Sequence, residues 1–305
     1  SLGPELYGLF SVTVTIVLWA ELSAFQLTTR PAVKFVAESG DWQPVAGAFV
    51  RVQFLISLLV ALLLVVLAPL LASWLKAPEL TLYLRLMAVD VPIYGLATIY
   101  QSILVGRSRF GQRALAVACR WLGRMLLIFP LVGLGLSVPG AILAGIGASA
   151  VQFAVARSLL RSRLAGRTVL PLRRLGGFAV PLFFYGVGIR FFHQVDLWLV
   201  QALSEASDAA GYYGAAQNLT VIPAMASVAL SPLLLAAVTQ MLRQHQPKAA
   251  QRLVRQGMRL VLCMLPFAGV VAGTAPGIVE LIYGPDFLAA APLLAVLFFG
   301  AIAAA

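Results

Sequence analysis

Three regularly spaced arginines are the residues of this chain best placed to bind a phosphorylated ligand. Arg113, Arg120 and Arg124 are seven and four positions apart, which puts them on one face of an α-helix. Arg113 lies at the boundary of an apolar segment, and Arg124 lies about 16 Å deeper at 1.5 Å per residue. A guanidinium can bind phosphate oxygens through two parallel hydrogen bonds. We therefore predict that Arg120 and Arg124 bind an anionic headgroup, with extension of Arg120 back to the membrane surface as the alternative.

Two further arginines are candidates for the same role. Arg190 lies inside another apolar segment and is followed by His193 and Asp196 at three-residue steps. Arg190 could supply a second phosphate contact, and His193 with Asp196 could form a titratable pair for ion coupling. The alternative is that these three side chains neutralise one another within a helix bundle. Arg30 lies at the end of its apolar segment, where anchoring to headgroups is the alternative to substrate binding.

Two acids, Glu21 and Asp90, lie alone within other apolar segments. Ionisable groups inside a membrane cost about 2.5–3.5 kcal/mol each on insertion scales, so they are functional candidates by default. Each acid could bind a proton or Na⁺, or it could pair with an arginine, as Asp90 would with Arg124. We therefore predict Glu21 and Asp90 as further ion-coupling residues.

The composition shows which kind of structure must position these residues. Of the 305 residues, 61% are hydrophobic and 11% are charged, and the mean hydropathy is +0.94. Soluble domains carry about 25% charged residues, so the chain is predicted to be an all-α polytopic membrane bundle. The net charge of +11 is spread over short loops, which argues against a nucleic-acid partner. No cluster of His, Cys, Asp or Glu has metal-ligand spacing, so neither a metal nor a cofactor is predicted.

About nine segments have the length and hydrophobicity of a membrane-spanning helix, which needs about 20 residues. The predicted spans are 6–29, 52–75, 82–105, 114–136, 139–160, 175–202, 211–242, 257–282 and a last one from 288 onward.

The charged residues between these spans alternate from one loop to the next. Seventeen of the 22 Lys and Arg residues lie on every second loop. Cytoplasmic loops of membrane proteins are enriched in Lys and Arg. We therefore predict a multi-pass protein of the bacterial inner membrane, with cytoplasmic loops at 30–51, 106–113, 157–174 and 243–259.

A faint internal repeat divides the chain into two halves. Tyr-Gly at 7–8 recurs at 213–214, and Ala-Pro-Glu-Leu at 77–80 recurs as Gly-Pro-Asp-Phe at 284–287, at nearly the same offset. Six predicted spans separate the copies, so both copies face the same way and the halves are parallel repeats.

The same register sets the predicted boundaries of the two halves. We predict an N-terminal transmembrane half at 1–165 and a C-terminal transmembrane half at 166–305. The chain starts at Ser1 rather than Met and ends inside an apolar run. We therefore expect that the first and last helices of the full fold are missing.

Several short motifs resemble those of one transporter family. The segment 2–10, LGPELYGLF, resembles the start of the second helix in polysaccharide flippases of the O-antigen (Wzx-like) type. Segments 196–200 (DLWLV), 210–216 (AGYYGAA) and 282–287 (IYGPDF) resemble their C-terminal half. These flippases belong to the multidrug/oligosaccharidyl-lipid/polysaccharide exporter superfamily. The resemblance implies two helical bundles around a central cavity that opens alternately to either side.

The resemblance also implies what the protein moves. The expected substrate is a polyprenyl-diphosphate-linked oligosaccharide, carried from the cytoplasmic to the periplasmic leaflet for surface polysaccharide biosynthesis. The expected partners are this lipid, the surrounding membrane lipids and polysaccharide polymerase machinery, and the protein is expected not to be an enzyme. Two alternatives remain open: a drug/cation antiporter of the same superfamily, and an O-antigen polymerase-type membrane enzyme.

Overall fold

The computed structural model describes residues 3–160, 172–204, 208–221, 238, 241 and 246–303. These residues are helical nearly throughout, and no strand occurs among them. The α-helices are α1 (Pro4–Glu38), α2 (Trp42–Trp74), α3 (Leu80–Ala88), α4 (Asp90–Gly106), α5 (Phe110–Leu131), α6 (Ser137–Leu160), α7 (Leu172–Leu203), α8 (Ala209–Leu219), α9 (Pro247–Tyr283) and α10 (Ala291–Ala303). A π-helical turn (Val132–Leu136) joins α5 to α6, and a 3₁₀ turn (Pro285–Ala290) joins α9 to α10.

Long apolar stretches dominate the described residues, as the composition predicts. Six of these stretches are long and apolar enough to cross a membrane. They are Pro4–Glu38, Trp42–Trp74, Leu80–Gly106, Phe110–Leu160, Leu265–Tyr283 and Pro285–Ile302. A helix satisfies its own backbone hydrogen bonds, which is why such stretches fold as helices in lipid.

The stretch Phe110–Leu160 contains two predicted spans that form a helical hairpin. Its backbone leaves the helical conformation at Gly135, with φ of 85°, and at Ser137, with φ of 42°. Beyond this point α6 packs back along α5, since Gly147 lies against Leu127 on the preceding helix. The predicted boundary between 136 and 139 therefore coincides with the turn of an antiparallel pair.

Two predicted boundaries differ from the structure. The segment 30–51 is mostly helical, because α1 continues through Pro31 to Glu38 and α2 begins at Trp42. Arg30 therefore lies two turns before the end of its helix. The predicted span 82–105 consists of α3 and α4 with Val89 between them. Hydropathy marks the apolar part of a helix, whereas these helices extend into the polar residues at its ends.

The chain forms two compact units. The larger unit comprises Leu9–Ser204, and the smaller unit comprises Gly3–Gly8 together with the described part of Glu205–Ala305. The larger unit has a buried core around Phe49, Ile99, Ile103 and Leu104, where α2 and α4 meet. The predicted division at 165/166 stays a prediction, because residues 161–171 lie outside the described part of the chain.

The core of the smaller unit is aromatic. Phe287 is buried, and three tyrosine rings surround it with centroids 5.2–6.2 Å away. The rings are those of Tyr7, Tyr212 and Tyr283. Asn218 donates a 2.8 Å hydrogen bond to the Tyr7 hydroxyl, which satisfies the polar end of that ring. The two motifs that suggested the internal repeat, at 7–8 and 284–287, thus meet in one core.

Glycines allow α1 and α8 to approach closely inside the smaller unit. A Cβ atom at Gly211 would collide with the backbone carbonyl of Pro4, and one at Gly8 would lie 2.7 Å from the Gly211 nitrogen. We expect Gly211→Ala to destabilise the full-length protein by about 1–3 kcal/mol, because backbone atoms must move apart. Gly277→Ala on α9 meets nothing within 4 Å and is the matched control. Thermal midpoints in detergent measure both variants, and equal midpoints would contradict this packing.

Candidate functional site

Two buried acids lie near two arginines in the larger unit. Glu21 on α1 is 1% exposed, and Asp90 at the start of α4 is 6% exposed. The two carboxyl groups interact electrostatically with each other, and Arg120 interacts with both. Arg124 also interacts with Asp90. Four predicted site residues from three helices therefore lie near one another, and an ion pair between Asp90 and Arg124 stays a prediction.

The arginines of α5 are held by aromatic rings. The Arg120 guanidinium lies 4.2 Å from the centroid of the Tyr94 ring, one helical turn after Asp90 on α4. The Arg124 guanidinium lies 6.0 Å from the ring of Trp121 on its own helix. A cation over an aromatic face gains about 0.5–2 kcal/mol, depending on how far it is desolvated. Arg120 is half-buried, and its guanidinium lies against α4.

Ser149 of α6 adds a polar side chain to this cluster, and its spacing along the chain does not reveal it. Ser149 is fully buried and approaches the Asp90 carboxyl group. Gln152 is buried one turn later on the same helix. Within the described part of the chain, Asp90 Oδ1, Glu21 Oε1 and Gln152 Oε1 have no hydrogen-bond partner. Buried oxygens usually have partners. This cluster can therefore accept a proton or a small cation.

A polar cavity of about 380 Å³ adjoins the cluster. It lies between α1, α4 and α5, and the Tyr94 ring that carries Arg120 forms part of its wall. Arg30 and Arg113, both exposed, contribute guanidinium groups to the cavity. Its other polar wall residues are Gln26, Thr29, Thr98, Gln101 and Ser102. Its size falls within the range of about 300–1,000 Å³ that is typical of ligand pockets.

The cavity has the donors needed to bind an anion with attached hydroxyl groups. Guanidinium groups bind phosphate oxygens, and amide and hydroxyl groups bind sugars. Gln26 Oε1 and Gln101 Nε2 are buried without a partner in the described part of the chain, so both are available to a ligand. The sequence placed Arg113 at the membrane boundary, on the same helix face as Arg120 and Arg124, and the structure shows that it lines the cavity.

A network of three polar side chains on α1 and α2 supports the cavity wall. Thr28 donates to Gln53 Oε1, and Gln53 Nε2 donates to Ser57 Oγ over 3.1 Å. Ser57 donates in turn to the Gln53 carbonyl over 2.7 Å. The sequence analysis did not identify this network, because a single sequence does not show that Thr28 faces Gln53. The network fixes α1 against α2 by hydrogen bonds within the membrane.

The remaining predicted site residues lie on α7. The side chains of Arg190 and His193 fall outside the described part of the chain, so their predicted roles stay predictions. Asp196 is half-buried, and its Oδ1 accepts a 2.9 Å hydrogen bond from the Leu197 backbone N–H. This contact is local, and ion coupling at Asp196 also stays a prediction. In the part of the chain that the structure describes, no group of three or more His, Cys, Asp or Glu residues could hold a metal ion.

Comparisons with known proteins identify the family and the fold. A profile of the family described as polysaccharide biosynthesis protein matches residues 36–292. A solved inward-facing multidrug resistance MATE family transporter of the MOP superfamily superposes with a TM-score of 0.80 at 14% identity, over 97% of this chain and 72% of that one. The Vibrio cholerae MATE transporter VcmN, in its bent form, superposes with a TM-score of 0.59 at 17% identity, over 97% and 76%. No curated protein matches the chain.

The profile covers most of the chain, and the two structural matches agree with its helical architecture. The sequence predictions of the family and of an all-α polytopic membrane bundle are both confirmed. The chain belongs to the polysaccharide biosynthesis protein family and has the fold of the multidrug/oligosaccharidyl-lipid/polysaccharide exporter (MOP) superfamily.

Proposed function

We propose that this protein moves a polyprenyl-diphosphate-linked oligosaccharide from the cytoplasmic to the periplasmic leaflet of the bacterial inner membrane. The observation that carries the proposal is the polar cavity, because Arg30 and Arg113 line it and Arg120 stacks on its Tyr94 wall. A cavity with this many guanidinium groups is suited to an anionic headgroup. Membership of a polysaccharide biosynthesis family supports a glycan as the group attached to it.

Different residues contact different parts of the substrate, according to their chemistry. Arg30, Arg113 and Arg120 hold the diphosphate, since each can form charge-assisted hydrogen bonds to its oxygens. Gln26 and Gln101, which have buried unpaired amide atoms, contact the sugar. Arg124 and Arg190 are further diphosphate contacts that are used as the substrate advances. In this mechanism the two predicted halves open alternately to either side, with the segments 30–51, 106–113, 157–174 and 243–259 on the cytoplasmic side.

The acids supply the coupling to an ion gradient. Glu21 and Asp90 are buried with unpaired oxygens and lie near Arg120. A proton or Na⁺ bound there changes the net charge facing Arg120 and so changes its availability to the diphosphate. His193 and Asp196 are a second candidate pair for the same role. None of these steps makes or breaks a covalent bond in the substrate, so the proposed activity is transport and not catalysis.

A drug/cation antiporter is the second candidate, and one observation favours it. Two fully buried acids with unpaired oxygens could bind an organic cation as well as an ion. The three arginines at the polar cavity oppose this reading, because they repel a cationic ligand. A polymerase-type enzyme has no comparable support from the cavity.

Lipid analysis of cells depleted of the full-length protein tests the proposal. We expect a polyprenyl-diphosphate oligosaccharide to accumulate on the cytoplasmic leaflet and to be cleared by the wild-type protein. Arg113→Ala should clear it at least about tenfold less well, because losing a charge-assisted hydrogen bond of about 1.5–3 kcal/mol corresponds to roughly that factor.

Arg109→Ala is the matched control for this experiment. Arg109 lies four positions earlier in the same basic segment and does not line the cavity, so both variants remove one charge from the same region. Equal clearance by the two variants would count against binding at Arg113. Unchanged lipids with altered drug sensitivity would favour the antiporter, and single repeat units that accumulate on the periplasmic side would favour the polymerase.

A further inference from the structure

The larger unit contains a second cavity whose chemistry is opposite to that of the first. It has a volume of about 460 Å³ and lies between α1, α2 and α7. Apolar side chains form nearly all of its wall, among them Leu64, Trp74, Phe183 and Trp198. A cavity with such walls binds hydrocarbon and excludes water.

The rim of this apolar cavity opens to the region that lipid occupies. On α2, Leu63, Leu67 and Trp74 line the cavity and are also exposed, and on α7 Phe184 and Phe191 do the same. Leu63, Leu67 and Trp74 lie on a helix with the length and apolar character of a membrane span, where exposed apolar side chains face acyl chains. A hydrocarbon chain can therefore enter the cavity sideways from the membrane.

The apolar cavity is extended along α2. Its wall on this helix runs from Val60 to Leu75, which is about 22 Å at 1.5 Å per residue. A long cavity with apolar walls suits an extended hydrocarbon chain.

The apolar cavity and the polar cavity share a wall, which indicates that one molecule uses both. On α1, Trp19 and Ala20 line the apolar cavity, and Gln26 lines the polar cavity. Gln26 packs directly against Gly186 of α7. Phe184 and Val187, two positions before and one position after Gly186, line the apolar cavity. The contact between Gln26 and Gly186 therefore joins the wall of the polar cavity to the helix that lines the apolar cavity.

We propose that the apolar cavity between α1, α2 and α7 binds the first part of the polyprenyl chain of the lipid whose headgroup occupies the polar cavity. This inference rests on the proposed function. The protein would then bind the polyprenyl chain as well as the diphosphate. The chain would then stay in register with the headgroup while the headgroup crosses the membrane.

The test uses the full-length protein in lipid nanodiscs and a polyprenyl-diphosphate sugar that carries a photoreactive diazirine in its first isoprene units. Mass spectrometry maps the labelled residues. We expect labels on the α2 segment 60–75 and on α1 near Trp19. Ala20→Phe fills the cavity and is expected to reduce this labelling about tenfold, which corresponds to about 1.4 kcal/mol. Ala118→Phe, at an exposed α5 position that lines neither cavity, is expected to leave it unchanged.

A short-chain analogue separates this inference from the proposed function. Methyl-diphosphate sugar carries the same headgroup without any isoprene unit, and Ala20→Phe is expected to bind it as tightly as wild type does, which also shows that the variant is folded. If wild type binds the polyprenyl probe but is labelled outside the cavity, or if Ala20→Phe leaves the labelling unchanged, the chain site is wrong and the proposed function stands. If wild type binds neither the polyprenyl probe nor the methyl analogue, the proposed function itself fails.

The remaining outcomes concern a different occupant. A phospholipid with a diazirine in its acyl chain is run in parallel, with unlabelled polyprenyl lipid as competitor. Labelling of the cavity by the phospholipid without competition would assign the cavity to a bulk lipid and overturn the proposal. Crosslinks between the cavity and another helix of the same protein would show that a helix fills the cavity, and would also overturn the proposal.

Discussion

We expect Arg120→Ala to destabilise the full-length protein by about 3 kcal/mol, because it removes a buried compensating charge and a cation–π contact together. Glu21 and Asp90 would remain buried next to each other with one positive charge fewer near them. Arg120→Lys keeps the charge but loses the planar stack on Tyr94, so an intermediate loss is expected. Thermal midpoints by fluorescence-detected size-exclusion chromatography, and the amount of protein in the membrane, measure the effect.

A second substitution distinguishes the electrostatic cause from a loss of packing. Glu21→Gln removes one of the two like charges, so it should recover a large part of the stability that Arg120→Ala loses. Adding Glu21→Gln to Arg109→Ala should not raise the stability, because Arg109 lies outside the cluster. A double variant no more stable than Arg120→Ala alone would show that the charges are not coupled. If the double variant is stable but fails to clear the lipid, while the Glu21→Gln single variant clears it, the Arg120 guanidinium is assigned to substrate binding.

The fold could be predicted from the sequence because its causes are local. Runs of about 20 apolar residues specify helices in lipid without reference to any partner, and the turn at Gly135 interrupts such a run between two predicted spans. The ends of α1 and α2 were less well predicted, since Arg30, Lys34 and Asp41 are polar and hydropathy does not distinguish a polar helix end from a loop.

Half of the candidate site could be predicted for an equally physical reason. Glu21, Asp90, Arg120 and Arg124 were singled out because charges are costly inside a membrane and need compensation, and the structure places them close together. Ser149 carries no charge and shows no such signal. Its approach to Asp90 depends on which faces of α4 and α6 meet, and a single sequence does not specify that pairing.

Gly186→Ala is expected to impair transport while leaving the fold intact. An added Cβ atom would collide with the side-chain amide of Gln26, to which its three nearest atoms all belong. The amide is the end of a flexible side chain, so it moves, and the backbone does not have to. Alanine also favours a helix over glycine by about 1 kcal/mol. The thermal midpoint should therefore stay near that of wild type, whereas a Gly211→Ala collision with backbone lowers it.

In Gly186→Ala, the displaced Gln26 amide is expected to move into the polar cavity. Gln26 already lines the polar cavity, so moving its amide away from α7 pushes it into the space proposed for the headgroup. Clearance of the accumulated lipid should fall, and the added substitution Gln26→Ser, which shortens the side chain, should restore room and with it part of the clearance. Gly188→Ala lies two positions further along α7, meets nothing within 4 Å, and should behave as wild type. If Gly188→Ala impairs clearance as much as Gly186→Ala does, the effect belongs to the flexibility of α7 and not to the wall that separates the two cavities.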